Sequence, residues 1–104
     1  MSKTKAAVSH RARLIEELRA DPKLARAYLA AAIEDDDPHV LLSALRTVVE
    51  VRGMARVAEA AGIPRESLYR ALSPKGNPRL TTLLAVIHAA GFRLALSERR
   101  RRAA

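Results

Sequence analysis

The chain has 104 residues, a length that suits one compact domain and leaves little room for a second hydrophobic core. It contains no cysteine, which excludes disulfide scaffolds and thiolate metal sites, and 19 Lys and Arg against 11 Asp and Glu give a net charge of +8, which predicts an anionic partner. Most of its apolar residues are Ala and Leu, a composition typical of closely packed helices. No apolar run could span a membrane and no signal peptide is evident, so we expect a soluble, cytoplasmic protein.

The N-terminal half predicts three helices. Residues 1–7 lack periodic hydrophobicity and are expected to be disordered, whereas residues 8–20 have the apolar spacing of an amphipathic helix. Asp-Pro pairs at 21–22 and 37–38 each predict the start of a further helix, because Asp caps free backbone N–H groups and Pro is preset for the first turn. The second of these helices is expected to end at Gly53.

The C-terminal half predicts shorter elements. Helices are expected at 54–61, 65–72 and 80–90, and Gly62 is expected to form the turn between the first two. Residues 73–78 contain two prolines and a glycine, so they are expected to form a loop.

The end of the chain predicts a short strand and a tail. Residues 92–96 alternate as a half-buried strand does, and such a strand would either pack on the helices or pair with its copy in a dimer. Residues 98–104 are expected to form a basic tail, whose four arginines at 99–102 would either contact phosphates or only improve solubility. We therefore predict an all-α domain of five to six helices over residues 8–97, with a short C-terminal β-strand.

The positive charge is spread unevenly along the chain. Residues 1–20 carry +3, residues 21–53 carry −2, and residues 54–104 carry +7. Without the arginines of the tail, residues 54–98 still carry +3. This separation indicates two surfaces that face different partners.

The two short helices around Gly62 have the spacing of a helix-turn-helix at about 54–72, whose second helix enters the major groove of DNA. Ala58 is expected where the two helices cross, because a larger side chain would push them apart. Ile63 and Leu68 are expected to pack into the core at the junction of the helices. The side chains left facing outward on the second helix are those of Arg65, Glu66, Ser67, Tyr69 and Arg70. Arg can hold guanine in a bidentate pair, and the others offer base or phosphate contacts. The same spacing also fits an αα-hairpin of an ordinary helical bundle with solvated arginines.

The chain also resembles a known family. Residues 52–94 read RGMARVAEAAGIPRESLYRALSPKGNPRLTTLLAVIHAAGFRL, which is similar to the Cro/repressor-type helix-turn-helix of addiction-module antidote (HigA-like) proteins, the antitoxins of type II toxin–antitoxin pairs. Residues 21–53 are similar to the leader of the same family, so the resemblance covers roughly residues 20–97, and its most specific piece is RESLYRALSPKGNP. Two features depart from the family pattern. Pro64 stands where members usually place a capping Ser or Thr, and residues 1–19 form a basic segment in place of a short acidic one.

The resemblance implies an antitoxin that neutralises a RelE/HigB-like toxin and represses its own operon by binding double-stranded operator DNA. A homodimer is expected, because one such module reads too few bases for useful specificity. The resemblance also implies that the start of the second helix reads bases, while the start of the preceding helix and the following loop contact phosphates. The residues so implied are Arg65, Glu66, Ser67, Tyr69, Arg70, Arg56, Lys75, Gly76, Asn77 and Arg79. The residue types of the loop also suit phosphate contacts. Lys75 carries a compact positive charge, and Gly76 allows a phosphate to approach the backbone closely. Asn77-Pro78 is expected to open a helix whose N-terminus favours an anion.

The chain offers little for enzymatic chemistry. Its three histidines are far apart in sequence, and the acidic run at 34–37 is explained by ending one helix and capping the next, so we expect no catalysis, metal or cofactor. Two other functions remain open: a stand-alone prophage-type repressor without a toxin, and a helical interaction module that does not bind DNA. The −2 segment favours the antitoxin, because a ribosome-dependent ribonuclease toxin is expected to be cationic.

Overall fold

The computed structural model describes residues 2–99, with side chains from residue 10 onward, and this part of the chain contains six α-helices. In chain order the helices are α1 (Ser2–Ala20), α2 (Pro22–Ile33), α3 (Pro38–Arg52), α4 (Met54–Ala61), α5 (Arg65–Ala71) and α6 (Leu80–Ala89). The predicted helical fold is therefore confirmed. None of these helices is both long and apolar enough to cross a membrane.

The first helix is longer than predicted. It begins at Ser2 instead of residue 8, and so includes residues 2–7, for which the sequence predicts disorder. Lys and Ala dominate this stretch and are strong helix formers, so the backbone can continue toward the N-terminus without an apolar stripe. Further along, α1 packs against α2 and α3 and buries Leu18.

The two Asp-Pro pairs begin helices as predicted. A carboxylate oxygen of Asp21 accepts hydrogen bonds from the backbone N–H groups of Lys23 at 3.0 Å and Leu24 at 3.3 Å. Asp37 accepts one from the backbone N–H of His39 at 2.9 Å, and the His39 ring lies 3.1 Å from the same oxygen. These contacts with His39, the backbone hydrogen bond first, hold the pKa of Asp37 below its ordinary value of 3.8.

The hydrophobic core is organised around α3, which packs against α1, α2 and α4. Its side chains Leu45, Val48 and Val49 are fully buried, and α4, α5 and α6 complete the core around them. The residues of the main cluster are Leu42, Leu45, Val49, Met54, Val57, Ala58, Leu68, Leu72, Val86, Ile87 and Ala90. The small side chains of the buried alanines let the helices approach closely.

The segment after α6 differs from the prediction. Residues 92–99 have no regular secondary structure, and no strand is present anywhere in residues 2–99. Phe92 packs half-buried against the core, whereas Leu94 is 39% exposed and Leu96 is 102% exposed. A strand needs a hydrogen-bonding neighbour, and the helices around this segment have no free backbone edge to offer. Most of the predicted basic tail, residues 100–104, lies outside the described residues.

Candidate functional site

The turn between α4 and α5 is built on Gly62. This residue has a left-handed backbone conformation, with φ 71° and ψ 30°, and its N–H donates to the carbonyl of Glu59 at 3.1 Å. The next N–H, that of Ile63, donates back to the carbonyl of Ala58 at 3.1 Å. Glycine adopts this conformation at little steric cost, so Gly62 ends α4 sharply and redirects the chain into α5.

The contact between α4 and α5 is apolar and close. Ala58 and Val57 of α4 are buried, and Leu68 of α5 is completely buried. α5 begins at Arg65, as predicted, although Pro64 supplies no capping side chain. The carbonyl of Pro64 accepts the N–H of Leu68 at 3.0 Å, so the helix closes its first turn with backbone groups alone.

The outward face of α5 carries the residues that the sequence assigns to base reading. Arg65, Glu66, Tyr69 and Arg70 are exposed, and Ser67 is half-buried. The guanidinium of Arg70 donates to the hydroxyl of Ser67 at 3.3 Å, which ties two of these side chains together. All five predicted residues therefore lie on or beside the solvent-facing side of this short helix.

One flank of α5 faces α3 through Tyr69. The guanidinium carbons of Arg46, from α3, and of Arg65 each lie 5.8 Å from the centroid of the Tyr69 ring, within cation–π range. Sequence reasoning does not find Arg46. The available signal was its spacing of four residues from Glu50, which indicates an ion pair on α3 but not a contact with α5.

The other flank of α5 faces the loop before α6. Ser67 and Arg70 line an open cleft of about 500 Å³ together with Lys75, Asn77 and Arg79. The structure therefore brings the predicted phosphate-contacting side chains of the loop beside the predicted base-reading helix. All three loop side chains are exposed.

Two details of this loop differ from the prediction. Gly76 is buried. A Cβ at this position would overlap the carbonyl oxygen of Ala71 and would lie 2.9 Å from the carbonyl oxygen of Arg70. The backbone of Gly76 thus packs closely against the end of α5, whereas the sequence predicts that a phosphate would make this close approach. In addition, Asn77 and Pro78 do not open the next helix: α6 begins at Leu80, with Arg79 as its N-cap in an extended conformation. The helix thus starts at Leu80, as its apolar spacing predicts, and not at the Asn77-Pro78 pair.

Arg56 lies apart from the other predicted residues. It is exposed on α4 and lines a different cleft, of about 670 Å³, together with Arg19 and Arg52. Gly53, whose φ is 104°, makes the bend between α3 and α4 just before this arginine. The predicted site therefore divides into a main surface on α5 and the 75–79 loop, and a separate position at the start of α4.

Comparison with known proteins identifies the family. Residues 10–98 match the family model described as "Probable addiction module antidote protein". The chain belongs to this family. A relative in this comparison, an uncharacterized protein of Haemophilus influenzae, is 37% identical over 73 residues, which cover 70% of this chain and 75% of the relative.

The resemblance to addiction-module antidotes is thus confirmed at the level of the family. No solved structure matches the chain. Within the described residues, no cluster of three or more His, Asp or Glu side chains could hold a metal ion.

Proposed function

We propose that this antidote-family chain is a DNA-binding antitoxin of the HigA-like kind, which neutralises a cognate toxin and represses its own operon. In this proposal α4 and α5 form a Cro/repressor-type helix-turn-helix, and the protein acts by binding, without catalysis. The observation that carries the proposal is the arrangement of α5. Its apolar residue Leu68 is completely buried under α4, while its outward side chains are polar and stand beside the cationic loop of residues 75–79.

The dimensions and chemistry of α5 suit a major groove. Its seven residues span about 10 Å at 1.5 Å per residue, and the groove is about 12 Å wide. Arg65 and Arg70 could each hold guanine through two hydrogen bonds, and Lys75 and Arg79 could contact the phosphates beside it. We therefore assign base reading to α5 and backbone contacts to the loop.

A dimer is expected to bind the operator, because one short recognition helix reads too few base pairs for useful specificity. Two-fold symmetry would place two copies of α5 about 34 Å apart on a palindromic site. The exposed Leu94 and Leu96 support a role for the C-terminal segment in this dimer. In a pair of chains, each copy of residues 92–96 would supply the strand partner that the other lacks.

We assign toxin binding to the acidic part of the chain, residues 21–53. Residues 21–53 carry −2 and include the exposed acidic turn at residues 34–37 between α2 and α3. A cationic RelE/HigB-like toxin would be attracted to this surface, although charge steers encounter more than it sets affinity. If the product of the neighbouring reading frame co-purifies with the chain, the toxin assignment is supported; if a small basic neighbour is encoded and never binds, the assignment is wrong.

DNA selection tests the central part of the proposal. The full chain would be used to select duplexes from a random pool, and the affinity of the selected site would be measured at several salt concentrations. Arg65→Ala combined with Arg70→Ala should abolish binding at moderate salt while leaving helicity unchanged. Arg13→Ala, which changes an exposed arginine on α1, serves as the matched control and should bind as the parent does. A parent chain that enriches no duplex, or a double variant that binds like the parent, would overturn the proposal.

A further inference from the structure

Two ion pairs and one cation–π contact connect α1, α3 and α5. A guanidinium nitrogen of Arg11 lies 2.8 Å from one carboxylate oxygen of Glu50, and the Nε of Arg46 lies 3.4 Å from the other. Arg11 also donates to the hydroxyl of Thr47 at 3.4 Å, a residue that is only 1% exposed. Glu50 is thus held between two arginines, and the buried threonine fixes the position of the first.

Arg46 extends these contacts to the outward face of α5. Its guanidinium carbon lies 5.8 Å from the centroid of the Tyr69 ring, and its side chain is about one-third exposed. The guanidinium of Arg46 is therefore restrained by two contacts, the ion pair with Glu50 and the cation–π contact with the Tyr69 ring. Tyr69 itself is 37% exposed.

Tyr69 would be a poor recognition residue without this restraint. An exposed Tyr on a helix samples more than one rotamer, and binding through its hydroxyl then costs the entropy of fixing it. Two guanidinium groups, from Arg46 and Arg65, limit where the ring can stand. Arg65 is on the same short helix, whereas Arg46 is anchored through Glu50 to the core helix α3.

We propose that Arg46 is a positioning residue for DNA recognition, which acts by holding the Tyr69 ring in its binding orientation. This inference rests on the proposed function, because it assigns Tyr69 to the DNA surface. Glu50 orients Arg46, and Arg11 orients Glu50. The DNA site therefore extends beyond the α4–α5 unit into helices that the helix-turn-helix motif does not include.

A double-variant cycle tests the route from Arg46 through Tyr69. Affinity for the selected duplex would be measured for the parent, Arg46→Ala, Tyr69→Ala and the variant carrying both. Arg46→Ala should weaken binding by about three- to tenfold in the parent background, the scale of a partly exposed cation–π contact. It should have almost no effect once Tyr69 is alanine, because the residue it positions is gone.

Salt dependence separates positioning from a direct phosphate contact. A residue that touches phosphate lowers the slope of log affinity against log salt by about one when it is removed, in either background. We expect the slope to be unchanged by Arg46→Ala. An equal loss of affinity in both backgrounds, accompanied by a smaller slope, would overturn the inference.

A readout without DNA tests the same contact independently of the proposed function. The chain has two tyrosines and no tryptophan, so Tyr69 is the only tyrosine in a Tyr28→Phe background. Replacing Arg46 by Ala there should shift the ring-proton resonances of Tyr69 and bring them closer to random-coil values. Arg13→Ala is the control and should leave them unchanged. Unshifted resonances would overturn the inference even if DNA binding is established, whereas a parent that binds no duplex would overturn the proposed function while leaving this contact intact.

Discussion

Gly76→Ala should damage both the stability of the chain and the loop that follows α5. The added Cβ would overlap the carbonyl oxygen of Ala71 and would lie 2.9 Å from the carbonyl oxygen of Arg70. Both oxygens belong to the backbone, so they cannot relieve the clash by changing rotamer. Forcing one methyl group into such a space costs about 1–3 kcal/mol. At roughly 4–8 °C for each kcal/mol in a domain of this size, the melting temperature should fall by about 5–20 °C.

The measurement is thermal and urea unfolding followed by circular dichroism, with Gly62 as the contrasting position. A Cβ at Gly62 meets nothing within 4 Å, and its φ of 71° makes the cost conformational, at about 1–2 kcal/mol for Ala. Asn tolerates the left-handed region, so at Gly62 it should be milder than Ala. At Gly76 the cost is steric, so Asn should be at least as damaging as Ala. A Gly76→Ala chain as stable as the parent, or a Gly76→Asn chain more stable than Gly76→Ala, would contradict a steric role for Gly76.

Three further substitutions test other parts of the structure. Ala58→Leu should destabilise the chain by about 1–3 kcal/mol in urea unfolding, because this 4%-exposed residue lies where α4 meets α5; an unchanged midpoint would contradict that packing. Asp37→Ala should lower the melting temperature at neutral pH, whereas Asp36→Ala should not. Because the folded pKa of Asp37 is lowered, its contribution is present above 3.8 and is lost as the pH falls through the folded pKa, so the gap between parent and Asp37→Ala should close in that acidic range; a constant gap would show that the charge is irrelevant. Leu94→Pro should weaken dimerisation in sedimentation at low micromolar concentration, and a fully dimeric variant would exclude pairing through residues 92–96.

Local signals in the sequence predict most of the helices. The two Asp-Pro pairs act within a single turn, and both aspartates cap their helices as expected. Gly62 is likewise a local signal, since a left-handed residue at a helix end needs only its own neighbours. These features are predictable because the backbone groups that they satisfy lie within a few residues of them.

Features that depend on tertiary packing are not predictable in this way. Gly76 shows no local sign that its missing side chain faces the carbonyl of Ala71, and Arg46 shows no sign that it reaches Tyr69 across from another helix. The alternation of residues 92–96 is typical of a strand, but a strand also requires a partner, which alternation does not supply. The composition of the outward face of α5 was predictable, whereas its connection to α3 was not.

The most direct test of the DNA-binding account is an amide NMR titration of the full chain with its selected duplex. We expect the largest chemical-shift changes on residues 65–70 and 75–79, with smaller ones at Met54 to Arg56 and at Arg46. The acidic turn at residues 34–37 should change little, because it is assigned to a different partner. Changes confined to α1 and α2, with residues 65–79 unaffected at saturating duplex, would contradict it.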